Sequence, residues 1–187
     1  PAAASLTSTI TAGPTNGQFE LTTASGVAVT SWTPDDIDNN RLVYGHDDSN
    51  TLSDSITFTV DDGAGNTSAS DTFAITVTPV DDDAPAVVNN TGSTVTEGGT
   101  DTITAAELSY ADTDTPAAAS LTYTITAGPT NGQFELTTAS GVAVTSWTQD
   151  DIDNNRLVYV HDDSNTLSDS ITFTVDDGAG NTSASDT

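Results

Sequence analysis

The chain contains no cysteine, no methionine and no lysine, and Arg41 and Arg156 are its only strongly basic side chains. The absence of cysteine excludes disulfide staples, zinc–thiolate sites and thioester chemistry, and leaves the redox compartment unmarked. The absence of lysine excludes a Lys–Asn isopeptide brace, because no amine is present to form it. Two arginines stand against 28 carboxylates, for a formal charge of −26. Phosphate recognition works by counterion displacement from lysine and arginine, so nucleic acid is not a partner to expect. No apolar run approaches the roughly 18 residues of a membrane span, and no signal peptide is recognisable before Pro1. A soluble fragment with any targeting signal outside it is the expectation, without membrane insertion.

What is present is equally uneven. Apolar residues make up 34% of the chain, many of them Val and Ile interleaved with Thr, as in strands that show one face to water. The carboxylates comprise 24 Asp and 4 Glu, which places the charge in turns and loops, where the short Asp side chain caps backbone or ligates a cation. Two readings stay open for each acidic run: a calcium site or a solvated acidic surface.

Internal repetition dominates the sequence. An offset of 115 lays Pro1–Thr72 on Pro116–Thr187, and of these 72 pairs only Ser8/Tyr123, Pro34/Gln149 and Gly45/Val160 differ. The chain begins and ends in mid-repeat on this reading. The natural boundary falls at Val80-Asp81-Asp82-Asp83-Ala84-Pro85, where an alternating strand gives way to an acidic run closed by proline. The expected organisation is therefore residues 1–80 as the later part of one repeat without its opening strands, 81–85 as an acidic linker, and 86–187 as a second repeat without its last strand.

Alternation of period two, bounded by Gly, Asn and Asp, predicts the strands. Ile56–Val60 and Phe73–Val77 each turn three apolar side chains to one face, and Asp61–Asn66 between them tolerates positive φ, so the pair reads as a hairpin. Further strands are predicted at Leu121–Thr126, Gln133–Thr137, Val142–Trp147 and Arg156–His161, with Val87–Val88, Val95 and Thr102–Ile103 opening the repeat and a helical turn at Thr104–Leu108. Seven or eight short antiparallel strands in about 110 residues predict an all-β chain of tandem immunoglobulin-like β-sandwiches.

Several constellations carry little chemistry. His46-Asp47-Asp48-Ser49 and its copy His161-Asp162-Asp163-Ser164 place catalytic residue types side by side, but adjacency supplies neither a fixed nucleophile nor an oxyanion hole. Carboxylate pairs for glycoside hydrolysis can be nominated almost anywhere in so acidic a chain. The chain is not expected to be an enzyme. Trp32 and Trp147 serve either as core or as sugar-stacking platforms, and reach the apolar side only if their strand shifts phase. Sequons at Asn66, Asn89 and Asn181 fall in predicted turns or strand edges.

The repeat resembles the cadherin-like repeats of the chondroitin-sulfate-proteoglycan type, found in tandem in animal surface proteoglycans and in large bacterial RTX/VCBS-like surface adhesins. The resemblance spans the repeat and is carried by Leu108-Ser109-Tyr110-Ala111-Asp112-Thr113-Asp114, Gly128-Pro129 with Gly132-Gln133-Phe134, Trp147-Thr148-Gln149-Asp150-Asp151-Ile152-Asp153, Tyr159-Val160-His161-Asp162-Asp163, and Asp169 followed by Phe173-Thr174-Val175-Asp176-Asp177-Gly178. Pro34 departs from the family's usual Gln. The resemblance implies an extended rod with calcium at its joints, ligated by Asp81, Asp82 and Asp83 of the linker with Asp112 and Asp114 of the following repeat. Asp47 and Asp48 complete the shell on this reading, and Glu97 serves the next joint. Independently, a run of three Asp repels itself, and a cation that takes six to eight hard oxygens relieves the repulsion. A solvated linker is the bland alternative.

The expected function is a structural spacer or stalk in a calcium-stabilised extracellular adhesin, at a cell surface and secreted, in a bacterial setting. Its partners would be neighbouring repeats. Two alternatives accompany it: self-assembly of copies into an extracellular filament or sheath, and a carbohydrate-binding module for a glycan or host receptor.

Overall fold

A computed structural model describes residues 6–114 and 118–187. Pro1 and Pro116, which open the aligned copies, lie outside them. The chain forms two compact units, Pro1–Pro79 and Val80–Thr187.

Unit 1 contains β1 (Thr7–Ala12), β2 (Gly17–Leu21), β3 (Ser31–Trp32), α1 (Pro34–Asp38), β4 (Leu42–His46), β5 (Ser53–Asp61) and β6 (Asp71–Thr76). The sheets are β3-β1-β5-β6 and β2-β4, antiparallel throughout. The predicted hairpin is β5–β6, with Ile56 opposite Phe73. Its turn is closed by Asp61 and Asp62, whose carboxylates accept the N–H groups of Gly63 and Ala64, while Gly63 and Gly65 take positive φ.

Unit 2 repeats this plan and precedes it with β7 (Ala86–Asn90), β8 (Thr100–Thr102) and β9 (Leu108–Ala111). Then follow β10 (Thr122–Ala127), β11 (Gly132–Leu136), β12 (Ser146–Thr148), α2 (Gln149–Asp153), β13 (Leu157–His161) and β14 (Thr172–Asp176). Its sheets are β12-β10-β14, β11-β13-β8 and β7-β9, again antiparallel. The architecture is the all-β sandwich that the alternation predicts.

Some elements differ from the expectation. Val95 belongs to no strand, and Thr104–Leu108 yields a single turn closed by Glu107 N–H and Leu108 N–H on the Thr104 carbonyl. Leu108–Ala111 is a strand in its own right. The predicted strand Val142–Trp147 shrinks to Ser146–Thr148, because the chain changes partners on the way. Ala143 bridges Glu135 and Val144 N–H bonds the Phe134 carbonyl, both in β11, after which Ser146–Thr148 pairs with β10. The crossing resets the inside–outside phase and sends Trp147 into the core, 2% exposed. Trp32 makes the same crossing and is also buried.

Near-identical residues sit in different surroundings in the two units. Ile152 of α2 is fully buried, whereas its copy Ile37 is 54% exposed. In unit 2, α2 packs against β9, and β8 extends the sheet beyond β13. The unit 2 core includes Leu121, Tyr123, Trp147, Leu157, Phe173 and Val175. Burying each such side chain contributes about 1.5–3 kcal/mol before the entropy of ordering it is subtracted.

Candidate metal centre

The pairing of β7 with β9 determines what lies beside the linker. Ala86 faces Ala111 and Val87 faces Tyr110, so the chain entering β7 from Asp81–Pro85 runs alongside the chain leaving β9 at Asp112–Asp114. Asp114 N–H bonds Asp112 Oδ1 at 2.8 Å, an Asx-type turn that curls the exit back on itself. The Asp114 carboxylate then accepts from the linker: its Oδ2 lies 3.2 Å from Asp82 N and 3.0 Å from Asp83 N. Thr113 Oγ1 donates to Asp83 Oδ2 at 2.7 Å.

Two acidic groups result, sharing Asp114. Carboxylate oxygens of Asp81, Asp112 and Asp114 lie within 4.8 Å of one another, and so do those of Asp82, Asp83 and Asp114. The first group is half-buried and the second more open. Oxygens bound to one calcium ion at about 2.3–2.6 Å are separated by at most about 5 Å, so either group matches the donor chemistry and spread of a calcium shell. Beneath the linker lies the turn after β14. Asn181 Nδ2 donates to the Asp81 carbonyl at 3.2 Å and to Asp177 Oδ2 at 2.8 Å. Burial raises the Asp177 pKa, but the Asn181 amide and the N–H groups of Ala179, Asn181 and Gly180 outweigh it and hold the carboxyl below its ordinary value.

Five of the eight residues nominated from sequence, Asp81, Asp82, Asp83, Asp112 and Asp114, thus come together within unit 2. Asp47 and Asp48 occupy the loop after β4 in unit 1, where the Asp47 carboxylate accepts from Ser49 Oγ at 2.6 Å and Asp48 takes φ 67°. Glu97 lies between β7 and β8 and lines a groove of about 660 Å³ with Val95, Ile103, Leu108 and Phe134. Among the described residues neither acidic group includes Asp47, Asp48 or Glu97. Asn181 and Asp177 were not nominated. Asp-Asp-Gly-Ala-Gly-Asn reads as a hairpin turn in both copies, and no sequence signal marks the second copy as touching a linker.

Other acidic runs have local roles. Asp36 and Asp151 close capping boxes: Asp151 Oδ2 accepts from Thr148 N at 2.9 Å, and Thr148 Oγ1 accepts from Asp151 N at 3.2 Å. Arg156 bridges Asp150 and Asp151, and Arg41 bridges Asp35 and Asp36, so both arginines are committed to the short helices. His161 Nε2 is 3.1 Å from Thr166 Oγ1 and Ser164 Oγ is 3.0 Å from the same hydroxyl, the contacts of a loop rather than of a nucleophile and its base. With both indoles buried, neither tryptophan offers a face to a sugar.

A cadherin-like family profile matches residues 2–77 and 85–186. The human extracellular matrix organizing protein FRAS1 is 41% identical over 178 residues, covering 90% of this chain and 4% of that protein. Extracellular matrix protein 3 of Lytechinus variegatus is 38% identical over 174 residues, covering 92% of this chain and 5% of its own length. Chondroitin sulfate proteoglycan 4 of Rattus norvegicus is 26% identical over 139 residues, covering 71% of this chain and 6% of its own. No solved structure matches. The chain thus spans only a small fraction of these much longer relatives. With both sandwich units inside the profile, the chain belongs to the cadherin-like family.

Proposed function

We propose that this chain is a spacer segment of an extracellular protein, in which calcium held by the linker and the β9 exit stiffens the entry to each repeat. The observation that carries the reading is the convergence of five aspartates from two separate stretches of chain, 81–83 and 112–114, on oxygens within 4.8 Å in each group. Three consecutive acidic linker residues repel one another, and folding them against two more carboxylates raises that cost unless a cation offsets it. Calcium accepts such hard, crowded oxygens in flexible geometry, whereas magnesium needs a tighter octahedron and keeps its waters. Membership of the cadherin-like family and the matrix proteins among the relatives support an extracellular structural role. A bacterial cell-surface adhesin would use the same segment in the same way.

The test is thermal unfolding of the 187-residue chain in chelator and in calcium. At a free concentration about 100-fold above Kd, calcium should stabilise unit 2 by about 2.7 kcal/mol and raise its Tm by about 10 °C, with a smaller effect from magnesium. The double variant Asp112→Asn/Asp114→Asn should abolish the shift. Identical melting curves with and without calcium would leave a solvated linker as the correct description. Light scattering on the same samples distinguishes a spacer from a filament subunit, because only the latter gains mass as calcium is added.

A further inference from the structure

We infer that Asn181 is a positioning residue for the linker cluster, fixing the backbone from which Asp81 reaches the cation. The inference rests on the calcium reading above and adds to it a turn that lies 100 residues further along the chain.

The repeat supplies its own comparison. In unit 1, Asp62 Oδ1 accepts from Ala64 N at 2.8 Å and Asn66 N at 3.1 Å, and Asn66 Nδ2 donates to Asp62 Oδ2 at 2.7 Å. In unit 2, the corresponding bonds measure 2.7 Å from Ala179 N, 3.1 Å from Asn181 N and 2.8 Å from Asn181 Nδ2. The two turns share these three bonds, and that of unit 2 has a fourth, from Gly180 N–H to Asp177 Oδ1 at 3.0 Å. Of the two turns, only that of unit 2 has linker residues 81–83 within this sequence to bond: Asn181 Nδ2 donates to the Asp81 carbonyl, and Asp177 beside it is 2% exposed. A preformed turn thus presents one amide to the linker. That amide has two N–H groups, and both are used, one on Asp177 and one on Asp81.

The consequence for the cluster is specific. The next two linker residues are held from the other side, by Asp82 N and Asp83 N on Asp114. Asn181 holds the backbone of residue 81, which belongs to the group Asp81–Asp112–Asp114 and not to the group Asp82–Asp83–Asp114. Groups that orient a ligand without touching the ion commonly contribute 10–100-fold to metal affinity.

The experiment is calorimetric calcium titration of the full chain and of two single variants, Asn181→Ala and Asn66→Ala. Each variant loses the same bond inside the same turn, so both should lower the calcium-free Tm of their own unit to a similar extent. Only Asn181→Ala should weaken calcium binding at the Asp81–Asp112–Asp114 group, by about tenfold or more. Asn181→Gly, which any turn backbone accepts, should reproduce that loss if the alanine variant folds poorly. Equal calcium affinity in wild type, Asn181→Ala and Asn181→Gly would overturn the positioning role while leaving the calcium reading intact. A flat wild-type titration would overturn both, and is distinguished by needing no variant.

Discussion

Asp54 and Asp169 show how one side chain can tie together three separate stretches of a sandwich. Asp169 accepts N–H bonds from Thr130 at 3.0 Å, Asn131 at 2.8 Å and Ser170 at 2.9 Å, and the Tyr159 hydroxyl at 2.8 Å; Asp54 does the same with Thr15, Asn16, Ser55 and Tyr44. Burial raises the pKa of each, the hydrogen bonds outweigh it, and both carboxyls are lowered from 3.8 to about 2. A depressed folded-state pKa gives stability that is fully present above the unfolded value and disappears as pH falls through the folded one. Urea unfolding should therefore show a stability decline between about pH 4 and pH 2. The double variant Asp54→Asn/Asp169→Asn should be less stable at pH 5 and lose part of that slope. The sequence flagged Asp169 only as part of a family pattern, since two of its donors, Thr130 and Asn131, lie 39 and 38 residues away and adjacency cannot reveal them.

At the scale of elements, two of the three differences between the copies turn out to be one. Tyr123 in β10 donates its hydroxyl to Gln149 Oε1 at the start of α2, and the same oxygen accepts Tyr110 N–H from β9 at 3.0 Å. Unit 1 has Ser8 and Pro34 at these places, and proline is well suited to the first turn of a helix, where its missing N–H costs nothing. The substitutions Tyr123→Ser and Gln149→Ala, alanine keeping the Gln149 N–H that bonds the Leu121 carbonyl at 3.0 Å, should therefore couple in a double-mutant cycle, by at least about 0.5 kcal/mol in chemical denaturation, because either one alone disrupts the shared bond. Additive effects would show that the two positions vary independently. Strands with uninterrupted alternation, such as β5, β6 and, as the copy of β5, β14, were legible from sequence. β9 and β12 were not: β9 is defined by what it pairs with, and β12 by a crossing between sheets that breaks the period on which the reading depends.

For the whole molecule, the repeat was the most legible feature, whereas the grouping of Asp112 and Asp114 with the linker was implied by the family resemblance alone, since β9, which brings them beside it, was not legible. The two near-copies are buried differently because unit 1 has no counterparts of β7, β8 and β9 within this sequence. Among the described residues, Phe19, Trp32 and Ile56 make up the buried cluster of unit 1, against twelve residues in unit 2. Scanning calorimetry of the metal-free chain should resolve two transitions, the lower one belonging to unit 1. Gly13→Ala, whose added Cβ would meet the Ser55 carbonyl oxygen at 2.2 Å, should move only that lower transition. A single transition displaced as a whole would mean that the units melt as one body. The matched 72-residue stretches also bear on how the chain reaches its native state. Apart from the Tyr123–Gln149 pair and Val160, a strand made for one copy fits the corresponding berth in the other, so side-chain complementarity does little to enforce the correct choice. Synthesis from the N-terminus lets the first copy claim its strands before the second emerges, whereas dilution from denaturant releases both sets together and invites exchanged, mispaired products.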